Sequence, residues 1–201
     1  MFIINQVLDH KLIKLKKVNG IKNASGFPDL LAKVDLSTVR KIPWDENIPF
    51  VLADLWKDER DPFKMCPRQV LKSVVGECKQ MGFNPIVGCE YEWFNFKENS
   101  ESLRKKKYQN LDPLTYGMYG YSILKTTDTN SYMGDLRKSC ESFDLPLEGL
   151  HTETGPGVYE AALSAAPALV AADRAVLFKT ATKEIANKHG VTATFMSRWC
   201  D

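Results

Sequence analysis

Two glutamates one residue apart, Glu90 and Glu92, sit inside the bulky apolar stretch GCEYEWF of residues 88–94. A carboxylate in such surroundings is costly unless it reaches water, a partner or a cation. Strand alternation puts Glu90 and Glu92 on one side with Gly88 and Phe94, and Val87, Cys89, Tyr91 and Trp93 on the other. One face is therefore core, and the other presents two carboxylates about 7 Å apart. Such a face is either solvated or built to meet positive charge.

A second acidic group lies downstream in HTETGPGVYE, residues 151–160, where Glu153 and Glu160 flank a Gly-Pro-Gly turn. Turn length decides whether they cooperate. A three-residue loop, 155–157, pairs Glu153 with Tyr159 and sends Glu160 to the opposite face. A four-residue loop, 154–157, pairs Glu153 with Val158 and His151 with Glu160, so that all three share a face. Both lengths are common in hairpins, and the residues leave the choice open. In the second register Glu90, Glu92, Glu153 and Glu160 can converge, and their mutual repulsion then calls for shared protons or divalent cations. Hard ions such as Mg²⁺ or Mn²⁺ suit an all-oxygen donor set. Solvation of a half-exposed strand face is the plainer alternative.

The elements that must position these groups follow from periodicity and breakers. Residues 1–26 are lysine- and asparagine-rich without clear period and read as a poorly ordered tail. A short strand is expected before Pro43 and another over Ile48 to Trp56, making a small sheet-bearing unit over 27–60. Residues 66–83 predict a helix with Pro67 at its first position, Gly82 at its stop, and an apolar stripe of Val70, Leu71, Val74, Val75 and Cys78. The strand carrying Glu90 and Glu92 comes next. Residues 97–130 read as an exposed excursion, its tyrosines Tyr116, Tyr119 and Tyr121 packing the loop or capping a pocket. A second helix is expected over 131–145, then strand, turn, strand. The longest helix begins near Pro167 and ends at Gly190, with Leu169, Ala172, Val176, Ala181 and Ile185 along one face, and a closing strand spans VTATFMSRW.

Composition bounds the function class. The 201 residues are 44% hydrophobic and 26% charged, enough for a proper core. With 27 basic against 25 acidic side chains, nothing favours nucleic acid or an anionic membrane as partner. Five cysteines without a C-x-x-C pair suggest reduced thiols, and three histidines without an H-x-x-x-H pair argue against zinc. No G-x-x-x-x-G-K-[ST] occurs, which removes P-loop chemistry. No apolar run approaches the roughly 20 residues that span a bilayer. The amino terminus lacks a secretory pattern, so the expected location is the cytoplasm.

The order of E-x-E in an aromatic strand, HTETGPGVYEAAL and ADRAVLFKTATKEIANKHGVTATFM resembles the glutamine synthetase family, from about residues 34–40 to the end. The HTETGPGVYE form is most similar to its class I-type and lengsin-like branches, and also to bacterial γ-glutamyl-amine ligases. The resemblance implies an α+β fold. It would comprise the remnant of a small β-grasp domain over 27–60 and the first half of a catalytic domain over 61–201, an antiparallel sheet with packed helices. It implies ATP-dependent ligation of ammonia, or a larger amine, to the γ-carboxylate of glutamate through γ-glutamyl phosphate, with Mg²⁺ or Mn²⁺. By motif position, Glu92, Glu153 and Glu160 match ligands of one metal and Glu90 a ligand of a second. Glu148 and His151 fall on the nucleotide side. The family assembles as homo-oligomeric rings with sites between subunits. The later histidine-bearing segment of the family and part of its β-grasp domain have no counterpart here, so an incomplete form is expected. A non-catalytic, lengsin-like structural protein is the alternative.

Overall fold

The computed structural model describes residues 13–15 and 29–199. Contacts within the chain group it into two compact units, Met1–Pro85 and Ile86–Asp201.

The first unit is an antiparallel sheet of β1 (Ile13–Leu15), β2 (Leu30–Ile42) and β3 (Ile48–Trp56), in that order, followed by helix α1 (Pro67–Gln80). Ile13–Leu15 pairs with Leu30–Ala32, so this part of the expected tail is a strand; the rest of residues 1–26 lies outside the described residues. β2 is far longer than the short strand expected. Its register with β3 shifts between Asp35 and Arg40. Thr38 plugs that irregularity, its hydroxyl donating to the Asp35 carbonyl at 2.7 Å and accepting the Leu52 N–H at 2.9 Å.

α1 starts on Pro67 as expected, but its apolar stripe is not a buried face. Val70 and Val74 are about half exposed, and no residue of the helix is fully buried. Charge holds it instead: Arg68 donates to Asp54 and Asp35, each at 2.8 Å, and Lys72 bonds Asp54. Arg68 and Lys72 are four apart and so share a face. Burial works to raise the Asp35 carboxyl, but the Ser37 and Arg68 hydrogen bonds and the two cations prevail and hold it at about 2.

The second unit carries β4 (Ile86–Phe96), α2 (Ser100–Lys105), α3 (Ile123–Asp128), α4 (Asn130–Ser142), β5 (Leu147–Thr152), β6 (Val158–Pro167), α5 (Ala168–Lys188) and β7 (Thr192–Thr194). Its sheet has the order β5-β6-β4-β7, antiparallel throughout. The expected excursion over 97–130 contains two short helices. Asn99 caps α2, accepting from the Glu101 and Ser102 amides, and Ser102 returns a bond to the Asn99 N–H. Buried Glu98 ties this segment down through Lys106, the Ser102 hydroxyl and the Asp112 N–H, an arrangement that keeps its carboxyl near 2 despite burial.

Helices α4 and α5 pack together, and α5 lies against β4, β6 and β7. The buried stripe of α5 runs through Ala171, Ala175, Phe178, Thr182 and Ile185. Ala181 and Ile185 were expected there, whereas Val176 is exposed. Phe178 meets Trp93 edge-on at 5.7 Å, and Trp93 stacks on Tyr159 at 6.2 Å. Phe195 was expected to continue the last strand. The chain instead leaves the sheet after Thr194, and Phe195 packs against Tyr91, Trp93 and Phe178. Helices cover one side of an antiparallel sheet, the α+β arrangement expected.

Candidate active site

The opposite side of this sheet carries the acids. The hairpin takes the four-residue loop: the Glu153 N–H donates to the Val158 carbonyl at 2.8 Å and the Val158 N–H to the Gly155 carbonyl at 3.2 Å. Consequently His151 pairs with Glu160 across β5 and β6, and Glu160 pairs with Glu92 across β6 and β4. Glu90, opposite Ala162, lies two residues along the same face of β4. His151, Glu160 and Glu92 thus form a row across three strands, with Glu90 and Glu153 beside it.

Glu160, at the centre, has a mostly buried side chain, 16% exposed, whose carboxyl sits above the usual carboxylate range. Burial is the main cause. His151, with Nε2 3.8 Å from Glu160 Oε2, partly opposes it, and the charges of Glu92, Glu90 and Glu153 push the same way as burial. Glu160 thus feels the charge of the other three acids. His151 Nδ1 lies 3.1 Å from the Thr152 carbonyl. A carbonyl can only accept, so Nδ1 carries the hydrogen and Nε2 is left toward Glu160.

Glu153 turns its carboxylate onto its own neighbour, accepting the Thr154 N–H at 2.5 Å and facing the Thr154 hydroxyl at 3.3 Å. As the side chains stand, no three His, Cys, Asp or Glu among the described residues form a cluster able to hold an ion. The strand register, rather than the rotamers, collects the acids. Glu148 lies three residues before His151, exposed at the irregularity where the pairing jumps from Leu147–Leu163 to Gly149–Ala162.

Two further residues shape this face. Tyr121 stacks its ring on His151 at 4.6 Å. Glu153 raises its phenol most, followed by burial and Glu160, with a hydrogen bond to Glu153 and the charge of Glu90 adding to the effect. Of the three tyrosines noted in the sequence, only this one is stacked at the carboxylate row; Tyr116 bonds Asp112. Thr152, buried on the core side, straps the loop to β5: its hydroxyl donates to the Tyr119 carbonyl at 2.9 Å and accepts the Ser122 N–H at 3.0 Å. The sequence reading missed Thr152, although a hydroxyl at a core-facing strand position was a usable signal.

Residues 64–201, more than half the chain, match the family model described as glutamine synthetase, catalytic domain. The chain belongs to the glutamine synthetase family. Type-1 glutamine synthetase 2 of Dictyostelium discoideum is 48% identical over 176 residues, covering 88% of this chain and 34% of that protein. Glutamate–isopropylamine ligase of a Pseudomonas species is 33% identical over 174 residues, covering 87% and 38%. Among solved structures, GmaS in complex with ADP superposes with a TM-score of 0.76 at 25% identity, covering 90% of this chain and 40% of that one. A Plasmodium falciparum glutamine synthetase structure gives 0.74 over 93% and 42% at 20% identity, a likeness of fold. The chain thus spans about 34–42% of the length of these relatives. The free cysteines Cys66, Cys78, Cys89 and Cys140 form no disulfide among the described residues, and no described helix is long and apolar enough to cross a membrane.

Proposed function

We propose that this chain carries part of the active site of a glutamine synthetase-type ligase, which uses ATP to join ammonia to the γ-carboxylate of glutamate. The observation that carries the reading is the row of carboxylates: Glu92 opposite Glu160, Glu90 beside it and Glu153 at the turn, with Glu160 reluctant to ionise among the others. An all-carboxylate donor set fits Mg²⁺ or Mn²⁺. Glu92, Glu153 and Glu160 would hold one ion and Glu90 would contribute to a second, with Glu148 and His151 on the nucleotide side. When bound, such ions neutralise carboxylate and phosphoryl oxygens.

The chain's own residues supply the preparation. A cation arriving beside Glu160 would offset both the burial of its carboxylate and the repulsion from Glu92, Glu90 and Glu153. His151 keeps its Nε2 toward Glu160, and Tyr121 covers the imidazole. Residues 27–60 are read as the remnant of the β-grasp domain, and a ring of subunits is the proposed assembly of the whole protein. A larger amine as acceptor is a second reading, favoured by the likeness to an isopropylamine ligase. Retention of all four acids speaks against a non-catalytic, lengsin-like role.

Titrating Mn²⁺ into the chain, with free ion followed by electron paramagnetic resonance, tests the site. Wild type is expected to bind, and Glu153→Gln/Glu160→Gln to lose at least about tenfold in affinity. Equal affinity would overturn the proposal.

A further inference from the structure

Asn95 is wholly buried, on the core side of β4 and away from the acids. Its Oδ1 accepts from Trp93 Nε1 at 2.9 Å and from the Tyr132 hydroxyl at 3.0 Å. An indole N–H can only donate, which fixes the orientation of the amide and turns Nδ2 to the Gly157 carbonyl, 3.1 Å away. That carbonyl also receives the Asn95 backbone N–H at 2.8 Å. Gly157 closes the loop between Glu153 and Glu160. It has a φ of +71°, and a Cβ there would lie 2.4 Å from the Asn95 carbonyl oxygen. From the other side, the Gly157 N–H donates to the Thr115 hydroxyl at 3.2 Å, and the Leu114 N–H to the Asn95 carbonyl at 2.8 Å.

A side chain whose acceptor is held by Trp93 and Tyr132 while its donor reaches the Gly157 carbonyl does more than fill space. We infer that Asn95 is a positioning residue for the carboxylate site: it anchors the Gly157 carbonyl, and through it the loop that sets Glu153 against Glu160, while touching neither acid. This rests on the metal-binding reading above for its consequence, but its structural half can be read without metal. Aspartate keeps the shape of Asn95, removes the donor and faces a carboxylate toward the Gly157 carbonyl. Trp93→Phe is the control, since it removes a donor from the same buried network and leaves the bond to Gly157.

Two readouts are taken on wild type, Asn95→Asp and Trp93→Phe: amide hydrogen exchange without metal, and Mn²⁺ affinity by electron paramagnetic resonance. In Asn95→Asp the Glu153 and Val158 amides, which close the loop, are expected to exchange about tenfold faster relative to core amides of α5, and Mn²⁺ affinity to fall about tenfold. Trp93→Phe is expected to leave both within about twofold of wild type after matching for global stability. Unchanged loop exchange in Asn95→Asp, or equal changes in the two variants, would overturn the inference. If wild type itself shows no Glu160-dependent Mn²⁺ binding, the ligase reading fails, and loop exchange alone decides the role of Asn95. Should Asn95→Asp not fold, Thr115→Val, which releases the Gly157 N–H from the other side, is expected to accelerate the same two amides; no acceleration there would also overturn it.

Discussion

Replacing Glu160 by glutamine is expected to stabilise the protein without metal and to weaken it relative to wild type with metal. Glu160 lies directly opposite Glu92, and its mostly buried carboxyl also opposes the charges of Glu90 and Glu153. Like charges across a strand pair cost about 0.2–1 kcal/mol. With partial burial added, glutamine is expected to gain about 1 kcal/mol, or about 2–4 °C in Tm for a chain of this length. The measurement belongs near pH 8, well above the ordinary carboxylate range. Mn²⁺ at a hundredfold excess over its Kd adds about 2.7 kcal/mol to wild type, about 5–10 °C, and less to the variant. Calorimetry with and without Mn²⁺ therefore reads a reversal in rank. A variant less stable than wild type without metal, or a wild type indifferent to Mn²⁺, would refute the electrostatic argument.

The same carboxyl sets a pH dependence. A raised pKa means that the folded state holds its proton more tightly. Its contribution to metal-free stability is then complete below the unfolded value of about 4.3 and is lost as pH rises through the elevated folded value; Glu160→Gln should remove this contribution in a pH series of melts. In the first unit, Arg68→Met leaves Asp35 and Asp54 with Lys72 as their remaining cation and is expected to cost about 1.5–3 kcal/mol, read by urea titration. Asp35 works in the opposite sense from Glu160: its contribution is complete above the ordinary value of 3.8 and is lost as pH falls toward about 2. Gly157→Ala combines a left-handed φ with the approach to the Asn95 carbonyl, and is expected to cost at least about 1–3 kcal/mol in the same titration.

The carboxylate face of β4 was legible because a period-2 pattern needs only a few residues to declare itself, and Glu90 and Glu92 stand on the side opposite Tyr91 and Trp93. The partner strand was legible except for register, which depended on whether Thr154 belonged to the loop. The contacts that hold Gly157 in that loop come from far away in sequence, from Asn95 and Thr115. No local pattern reports such a contact. Helices α2 and α3, six residues each, are too short to show an amphipathic period, although the Asn99–Ser102 cap was visible in principle. The stripe on α1 was read as apolar because its valines recur at helical spacing, whereas Arg68 and Lys72 fasten the helix to Asp35 and Asp54. Placing Val176 in the core of α5 was a phase error: alanines fill much of this helix, so its inward side is weakly marked, and Phe178 rather than Val176 sets it.

Crystals grown with Mn²⁺ and measured at the manganese absorption edge test the central claim most directly. An anomalous peak about 2.1 Å from carboxylate oxygens of Glu92, Glu153 and Glu160 is expected, with Glu153 turned away from the Thr154 amide. Ordered acids with no peak between them, or manganese bound only elsewhere, would contradict it.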